Sequence, residues 1–426
     1  MSVAGAVALI TGTTIGAGSL ALPSAALPAG FEPTAAVLLG TWALLLGEGL
    51  LLAEVNVALM RRRGDGSDTS TVTLAEMAGA TLGPGGAALT TLLYLLLTYT
   101  VMVAYDVKLT ELFGGSDAAP TAFTLFVGWL LVVGGRSGAV RALRPAMLGL
   151  LLSFVVLCAA GSAAGDPANL ARSDWAGAGE VMPIAFLAMV FHKLVPTICS
   201  ALGGDLGRIR TALGVGSLVP LGMLLTWSGV CLSIVPGGTG AGVGLDPLEI
   251  ISTTGGPVLH AAIPAFTLGA VATSYLGNAL HLSDFGRAQL RALGGRNHRA
   301  GNDARRDEAG GVRPVAALSV LMAVAPPLYV TYQHPADFLR IVEWVGAYGM
   351  TVLFGLLPPL MYLSLRQQSQ EEAASEQPAW RTRGESALLG SMALASFSVA
   401  ALHAQHDEAA AEVVQIAQAA MASVFG

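Results

Sequence analysis

Long apolar segments alternate with short polar ones along most of this chain of 426 residues. A helix of about 20 apolar residues is long enough to cross the hydrocarbon core of a bilayer. The pattern predicts eleven such helices, over residues 3–27, 34–60, 85–113, 121–135, 146–163, 181–202, 211–235, 256–285, 314–332, 336–365 and 384–402. The chain is therefore predicted to be an all-α, multi-pass integral membrane protein that ends in a tail over residues 403–426.

The composition supports this prediction. Hydrophobic residues make up 54% of the chain and charged residues 12%, with a mean hydropathy of +0.64, whereas an average soluble domain is about 25% charged. The three cysteines, Cys158, Cys199 and Cys231, are scattered through apolar segments, and this spacing indicates neither a disulfide framework nor a metal site. We expect no cofactor, no metal and no nucleic-acid partner.

The basic residues predict an orientation in the membrane. The polar segments that the predicted spans place on one side contain 18 Lys and Arg residues, and those on the other side contain only Arg172. Such an excess marks the cytoplasmic side, so the N-terminus and the basic segment 286–313 are predicted to be cytoplasmic. The membrane would be the bacterial inner membrane or, in a eukaryote, a plastid envelope or plasma membrane.

The segment VALITGTTIGAGSLALP, residues 7–23, has two interpretations. Its glycines resemble the pyrophosphate-binding fingerprint of short-chain dehydrogenases, or they interrupt a transmembrane helix. The dehydrogenase interpretation fails, because a second apolar span follows and because Tyr105 and Lys108 are three residues apart, where that chemistry needs four. Close packing of helices through small residues is a further alternative to an interruption.

A second predicted span, 181–202, is also interrupted. His192 and Lys193 place two ionisable groups inside it, and Pro196 removes a backbone donor, so we expect a break near residues 192–200. Interrupted helices at corresponding positions of two five-helix groups indicate an inverted-repeat transporter with a site near the midplane. The predicted repeats are 1–163 and 181–365, and residues 384–402 form an additional helix.

The motifs GTTIGAGSLALP, LAEV, FHKLVPTICSALGGDLGRIR and ATSYLG resemble the hydroxy/aromatic amino acid permease family, in its tyrosine- and tryptophan-specific types. This family belongs to the amino acid–polyamine–organocation superfamily. The resemblance implies a leucine-transporter-like five-plus-five inverted repeat with discontinuous helices 1 and 6. It also implies proton-coupled symport of aromatic amino acids, with tyrosine as the first candidate. The chain departs from the family pattern at residues 31–33 and in the basic segment 286–313.

The predicted substrate site lies at the two interruptions. Unpaired amides and the positive end of a half-helix suit the carboxylate of an amino acid, and free carbonyls suit its ammonium. By resemblance, the residues that bind the substrate are Thr13, Thr14, Ile15, Gly16, Ala17, Gly18, Phe191, His192 and Val195. Two alternatives stay open, because Phe191 could face lipid or the core and His192 could bridge helices as a neutral imidazole.

The predicted coupling ion is a proton, with Glu54 or His192 as its carrier. Glu54 could instead pair with Arg61 or a loop arginine, and Glu48 lies on a different face of the same helix. Sodium-coupled relatives of this fold suggest the alternative of a sodium shell, built from the hydroxyls of Thr273 and Ser274 and the carbonyls of Gly12, Ile15 and Ala270. Hydroxyls in membrane helices also bond back to their own helix, and that role needs no ion.

Other classes of function are disfavoured. A membrane-embedded enzyme or receptor would need a cluster of His, Asp, Glu or Cys residues or a sizeable soluble domain, and the chain has neither. A GxxxxGK[ST] motif for a nucleotide is absent from the sequence. A sodium-coupled carrier, or one for a broader set of neutral amino acids, stays open as an alternative on the same fold. The oligomeric state is not predicted.

Overall fold

The computed structural model describes residues 1–14, 16–63, 71–235, 248, 251–252, 256–293, 314–333, 341–342, 344–373, 389–390 and 392–393. The α-helices of this part are α1 Val3–Thr14, α2 Ala17–Ala29, α3 Phe31–Arg62, α4 Leu74–Leu112, α5 Ala118–Val133, α6 Gly135–Ala164, α7 Ala178–Met189, α8 Val195–Ala201, α9 Leu206–Ile234, α10 Gly256–Leu293, α11 Pro314–Gln333 and α12 Leu357–Ala373. A π-helical segment, Val345–Leu356, precedes α12. Short 3-10 helices cover Pro167–Ala171, Trp175–Gly177 and His192–Leu194.

The predicted fold class is confirmed. In the described part of the chain, eight helical segments are long and apolar enough to cross a membrane, with Trp175–Ala201 and Val345–Gln368 each counted as one segment, and the bent pair α1 and α2 makes a ninth. The shorter apolar helix α5 lies where the fourth span was predicted. The predicted eleventh span, 384–402, lies outside the described residues apart from 389–390 and 392–393, and so does the predicted tail.

The chain forms two compact units. One contains residues 1–97, 165–247 and 342–426, and the other contains residues 98–164 and 248–341. The first unit holds both interrupted helices together with α3, α9 and α12. In the second unit, α10 packs on α6 and α11. The predicted repeats, 1–163 and 181–365, follow chain order and stay a prediction.

The first interrupted helix is broken between α1 and α2. The two halves are bent by 60°, and Gly16 lies between them in an extended conformation. Glycine lowers helix propensity by about 1 kcal/mol relative to alanine, and three glycines in seven residues concentrate that loss at positions 12, 16 and 18. The break falls inside the stretch that the sequence predicted.

The second interrupted helix is broken two residues earlier than predicted. Its first half, α7, ends at Met189, and Val190 and Phe191 are non-helical. A single 3-10 turn follows, and α8 then begins at Val195. The expectation of a break over residues 192–200 was wrong in extent because Pro196 lies in the first turn of α8, where a missing backbone donor costs nothing.

Helix α9 supports both halves of the first interrupted helix. Its Gly216 lies against Ile10 of α1, so closely that a Cβ atom there would be 2.6 Å from Cδ1. Farther along α9, the indole of Trp227 donates a 2.9 Å hydrogen bond to the Ser19 carbonyl of α2. The broken helix is therefore held from one side by a single continuous helix.

The segment after α6 caps the end of α2. The amide of Asp174 donates a 2.8 Å hydrogen bond to the Ala29 carbonyl, and the Arg172 guanidinium donates to the Leu27 carbonyl. Helix ends leave carbonyls without intrahelical partners, and such donors satisfy them. The one basic residue of the predicted external side thus caps a helix.

Three helices differ from the predicted spans. Residues 136–145, predicted as a loop, belong to α6, and α10 continues to Leu293 beyond the predicted end at 285. Helix α4 begins at Leu74 and is kinked at Gly83, which has a φ of 79°, just before the predicted start at 85. Counting apolar residues locates the part of a helix that lies in hydrocarbon, and it misses helical turns that extend beyond it.

We predict that Gly18→Ala destabilises the protein. A Cβ atom at Gly18 would lie 2.4 Å from the Cα of Ala188 on α7, and this contact is with backbone, which cannot move aside. Overpacking of this kind costs about 1–3 kcal/mol. The measurement is thermal stability in detergent by fluorescence-detected gel filtration, with Gly214→Ala as the control, since a Cβ there meets nothing within 4 Å. Equal stability of the two variants would contradict the described packing.

Candidate functional site

The break between α1 and α2 lies at Gly16, whose main chain is extended. Gly16 and Gly18 are buried, and the carbonyl of Gly16 accepts from the Ser19 hydroxyl at 2.7 Å. The Thr13 and Thr14 hydroxyls donate back to Leu9 and Ile10 within α1, at 2.8 and 2.7 Å. Both threonine side chains thus support the helix end next to the break.

Two residues of the set predicted at the first break, Ile15 and Ala17, are not fully described by the structure. Ile15 lies outside the described residues, and Ala17 begins α2, with its side chain outside the description. Gly12 is buried in α1. The predicted residues of the first break therefore lie together at one helix junction.

An aromatic cluster lies at the second break. The imidazole of His192 lies between two rings, with its centroid 4.9 Å from that of Phe191 and 5.2 Å from that of Phe354. The interplanar angles are 24° and 32°. Each of the three side chains is at most 1% exposed, and Val195 is fully buried one turn later. Phe354 comes from the π-helical segment and carries no sequence signal that would have selected it.

Gly49 of α3 packs directly against this cluster. A Cβ atom on Gly49 would lie 2.8 Å from Cε2 of Phe191 and 3.8 Å from Nε2 of His192. The absence of a side chain at this position lets the Phe191 ring lie directly on the helix. Gly49 is visible in the sequence as a glycine in a span, but many spans contain one and none of the motifs includes it.

The imidazole of His192 is fully buried and forms no hydrogen bond of acceptable geometry with a described residue. In the described part of the chain, neither ring nitrogen has a hydrogen-bond partner of acceptable geometry, and the backbone of Leu45 lies near enough to interact with the ring. A buried polar group without a partner costs about 1–3 kcal/mol. Such a group in a folded protein calls for an explanation, and a ligand that supplies the missing hydrogen bond is one.

Two of the three glutamates of α3, Glu48 and Glu54, lie inside the predicted span and have different environments. Glu54 forms a 2.8 Å ion pair with Arg210 of α9, and both side chains are partly exposed. Arg210 was predicted to lie in a loop and instead lies in α9, so the pairing is the loop-arginine alternative given above, with the arginine on a helix. Glu48 is fully buried, and its two carboxylate oxygens have no partner among the described residues.

The predicted coupling residues of α10 lie in the second unit. The Thr273 hydroxyl donates to the Gly269 carbonyl at 2.9 Å and approaches the Ala270 carbonyl at 3.3 Å. This is the back-bonding geometry that needs no ion. Ser274 follows on the same helix, and the sodium shell stays a prediction.

The second unit also holds a buried polar chain that sequence reasoning missed. The Thr124 hydroxyl of α5 lies 2.9 Å from the hydroxyl of Tyr275 and 3.4 Å from Oδ1 of Asp106. All three side chains are at most 2% exposed. An aspartate inside an apolar span, Asp106, was the signal in the sequence that could have found this chain.

The first unit therefore combines two features in one bundle. The breaks at residues 14–17 and 190–191 provide main-chain donors and acceptors that helices normally consume. Beside the second break, aromatic surface surrounds one unsatisfied imidazole. Such an arrangement suits an amphiphilic ligand with a zwitterionic end and an aromatic end.

Two interrupted helices in an all-helical, multi-pass bundle define a membrane transport protein. The family model described as the tryptophan/tyrosine permease family matches residues 1–385. The chain belongs to the tryptophan/tyrosine permease family, as the motif resemblance indicated.

Three bacterial relatives show how far the similarity extends. The tyrosine-specific transport system 2 of Haemophilus influenzae is 33% identical over 236 residues, which are 52% of this chain and 56% of that protein. The chain thus matches little more than half the length of that relative. The tryptophan-specific transport protein of Pseudomonas aeruginosa is 28% identical over 67% of this chain and 72% of its own length. That of Shigella flexneri is 27% identical over 86% and 87%. All three relatives are named as transport proteins.

Solved structures show the fold. The crystal structure of MhsT in complex with L-phenylalanine has a TM-score of 0.55 and 16% identity, over 93% of this chain and 98% of that chain. A variant of the Eremococcus coleocola manganese transporter has a TM-score of 0.56 and 12% identity, over 100% and 92%. Identity this low supports a shared fold alone, and that fold is the leucine-transporter-like fold that was predicted.

We predict that Gly49→Ala weakens substrate binding while the protein still folds. The new methyl group meets the outer edge of the Phe191 ring, which can rotate away, so the aromatic cluster changes and the backbone does not. Loss of one aromatic contact corresponds to a dissociation constant about tenfold higher. Scintillation proximity binding of labelled tyrosine measures this, with Gly40→Ala on the same helix as the control because its Cβ would meet nothing within 4 Å. Unchanged tyrosine binding in Gly49→Ala would show that the aromatic cluster is not part of the binding site.

Proposed function

We propose that the protein carries tyrosine across the membrane by alternating access, in symport with protons. The observation that carries the proposal is the buried, unbonded imidazole of His192, held between Phe191 and Phe354 beside the second helix break. A phenolic hydroxyl is both a donor and an acceptor, and it fits a neutral imidazole in either tautomer. The name of the Haemophilus relative supports the same substrate.

In this proposal the two breaks divide the recognition of the substrate. Main-chain groups around Gly16 and Gly18 hold the carboxylate and ammonium, and the glycines let the substrate approach the backbone closely. The aromatic ring of the substrate enters the Phe191 and Phe354 cluster, where offset or edge-on contacts between rings are favourable. Phe191 moves to admit the ring, since the cluster is closed in the described conformation.

The runner-up substrate is tryptophan, which the names of two relatives support. An indole has a single N–H donor and no acceptor. It could donate a hydrogen bond to the unprotonated nitrogen of His192, but it could not accept one from the protonated nitrogen. A carrier of neutral amino acids in general would gain nothing from two aromatic rings around an imidazole.

We predict that His192→Phe lowers the affinity for tyrosine about fivefold to tenfold, the effect of one lost neutral hydrogen bond. The affinity for phenylalanine, which has no hydroxyl, should stay within about twofold, because the aromatic surface is kept. Counterflow in proteoliposomes with labelled tyrosine, tryptophan, phenylalanine and leucine measures the substrate preference of the wild type and of the variant. His260→Phe is the control, since that histidine is exposed. A parallel loss for tyrosine and phenylalanine would show that His192 has a structural role only.

We predict that a pH gradient drives accumulation. With the membrane potential clamped, one pH unit of external acidity supports about tenfold accumulation when one proton is coupled. Accumulation should persist when choline replaces sodium. Strict dependence on sodium, without a response to the pH gradient, would favour the alternative in which Thr273 and Ser274 bind sodium.

A further inference from the structure

Glu48 is a carboxyl group buried in an otherwise apolar stretch of α3. Its exposed fraction is 0%, and neither oxygen has a hydrogen-bond partner in the part of the chain that the structure describes. Burying an ionised carboxylate without a partner costs far more than burying the neutral acid. Ionisable groups kept inside a membrane protein at such cost are, by default, functional candidates.

The position of Glu48 links it to the proposed substrate site. On an α-helix, Glu48 lies about 100° from Gly49 and about 60° from Leu45. Gly49 lies against the aromatic cluster, and the backbone of Leu45 lies near enough to interact with the His192 ring. On the other side of Glu48, Gly47 lies against Met392, whose Cε would be 2.7 Å from an added Cβ. Glu48 is therefore one residue from the substrate site and enclosed by protein on both sides.

Several ionisable groups lie on the elements that pack against α3. They are Glu180 of α7, His192 and Lys193 before α8, Cys199 of α8, Arg208, Arg210 and Cys231 of α9, Tyr348 of the π-helical segment, and Tyr362 and Arg366 of α12. Arg210 is paired with Glu54. No described residue forms an ion pair with Glu48, so nothing described here fixes a charge on it.

We propose that Glu48 is the group that takes up the coupled proton during transport. The inference rests on the proposed function, and it names the ion site that the proposal requires. A carboxyl beside the substrate cluster can be neutral when the site is closed, as described here, and ionised when water reaches it. Substrate and proton then stabilise the same closed state, which is the linkage that symport needs.

The proton step is simple to balance. The Glu48 carboxylate takes one proton from the water on the side where tyrosine enters, which forms the O–H bond of the neutral acid. After the change of conformation, that bond breaks and the proton passes to water on the opposite side. Nothing is oxidised or reduced, and the substrate is released unchanged.

The test uses Glu48→Gln, which keeps the size of the side chain and removes its titration. Accumulation driven by one pH unit should fall from about tenfold to no net accumulation, while tyrosine counterflow and binding stay within about twofold of the wild type. Glu32→Gln on the same helix, where the side chain is exposed, should behave as the wild type does in both assays.

Three results would overturn the proposal. Glu48→Gln could accumulate tyrosine as the wild type does, or it could lose binding tenfold, which would make Glu48 a ligand of the substrate ammonium. Glu54→Gln could uncouple transport in its place, which would return the coupling role to Glu54. A wild-type protein without tyrosine counterflow would instead contradict the proposed function, so the two failures are distinguishable.

A second measurement needs no variant at Glu48. Carbodiimides react with protonated carboxyls in apolar surroundings, so the peptide that contains Glu48 should be modified in the native protein in proteoliposomes. The modification should fall as pH rises and should abolish pH-driven accumulation. Ion-paired Glu54 is the internal comparison and should react little. Modification of Glu48 that is independent of pH, or that leaves accumulation intact, would contradict a role in proton coupling.

Discussion

A main chain that leaves the helical path inside a bilayer has to be surrounded by protein, because hydrocarbon offers its amides and carbonyls no hydrogen bonds. The first unit meets this constraint twice. Helix α9 lies along the first break, with Trp227 bonded to the Ser19 carbonyl. Gly18 brings α2 into backbone contact with Ala188 of α7. The breaks are therefore stabilised by tight packing, and the glycines in them serve close approach more than flexibility.

The same packing explains why the aromatic cluster can be a binding site. Phe191 is the residue at which the second helix is interrupted, so its ring is placed by backbone that is not helical. Gly49 lets that ring lie on α3 without a side chain between them. A change at Gly49 therefore acts on the ring, whereas a change at Gly18 acts on the backbone. Stability and the proposed recognition of the substrate thus depend on different glycines of one bundle.

The predictable part of this structure follows from properties that are local in sequence. Apolar length gave the spans, and clustered glycines gave the first break to within a residue or two. The second break was predicted to extend too far along the chain, because Pro196 was counted among its causes although proline is well tolerated in the first turn of a helix. Gly49 and Phe354 could not be found, since their roles depend on contacts between segments far apart in the chain. The burial of Glu48 is of the same kind, because only the packing around α3 distinguishes it from Glu54.

Three carboxyl groups in predicted spans illustrate how their surroundings assign different roles to one chemistry. Glu54 lies where α3 approaches the aqueous phase, and a partly exposed ion pair of this type contributes little to stability. Asp106 is buried, but its Oδ1 accepts a hydrogen bond from the Thr124 hydroxyl, which is also hydrogen-bonded to the Tyr275 hydroxyl. One carboxylate oxygen of Asp106 is therefore satisfied within the protein. Glu48 has neither exposure nor a described partner. Among these three groups, Glu48 is the one whose charge is not fixed by a described neighbour. Its charge can therefore be set by water and substrate, and this is the property that a coupling site requires.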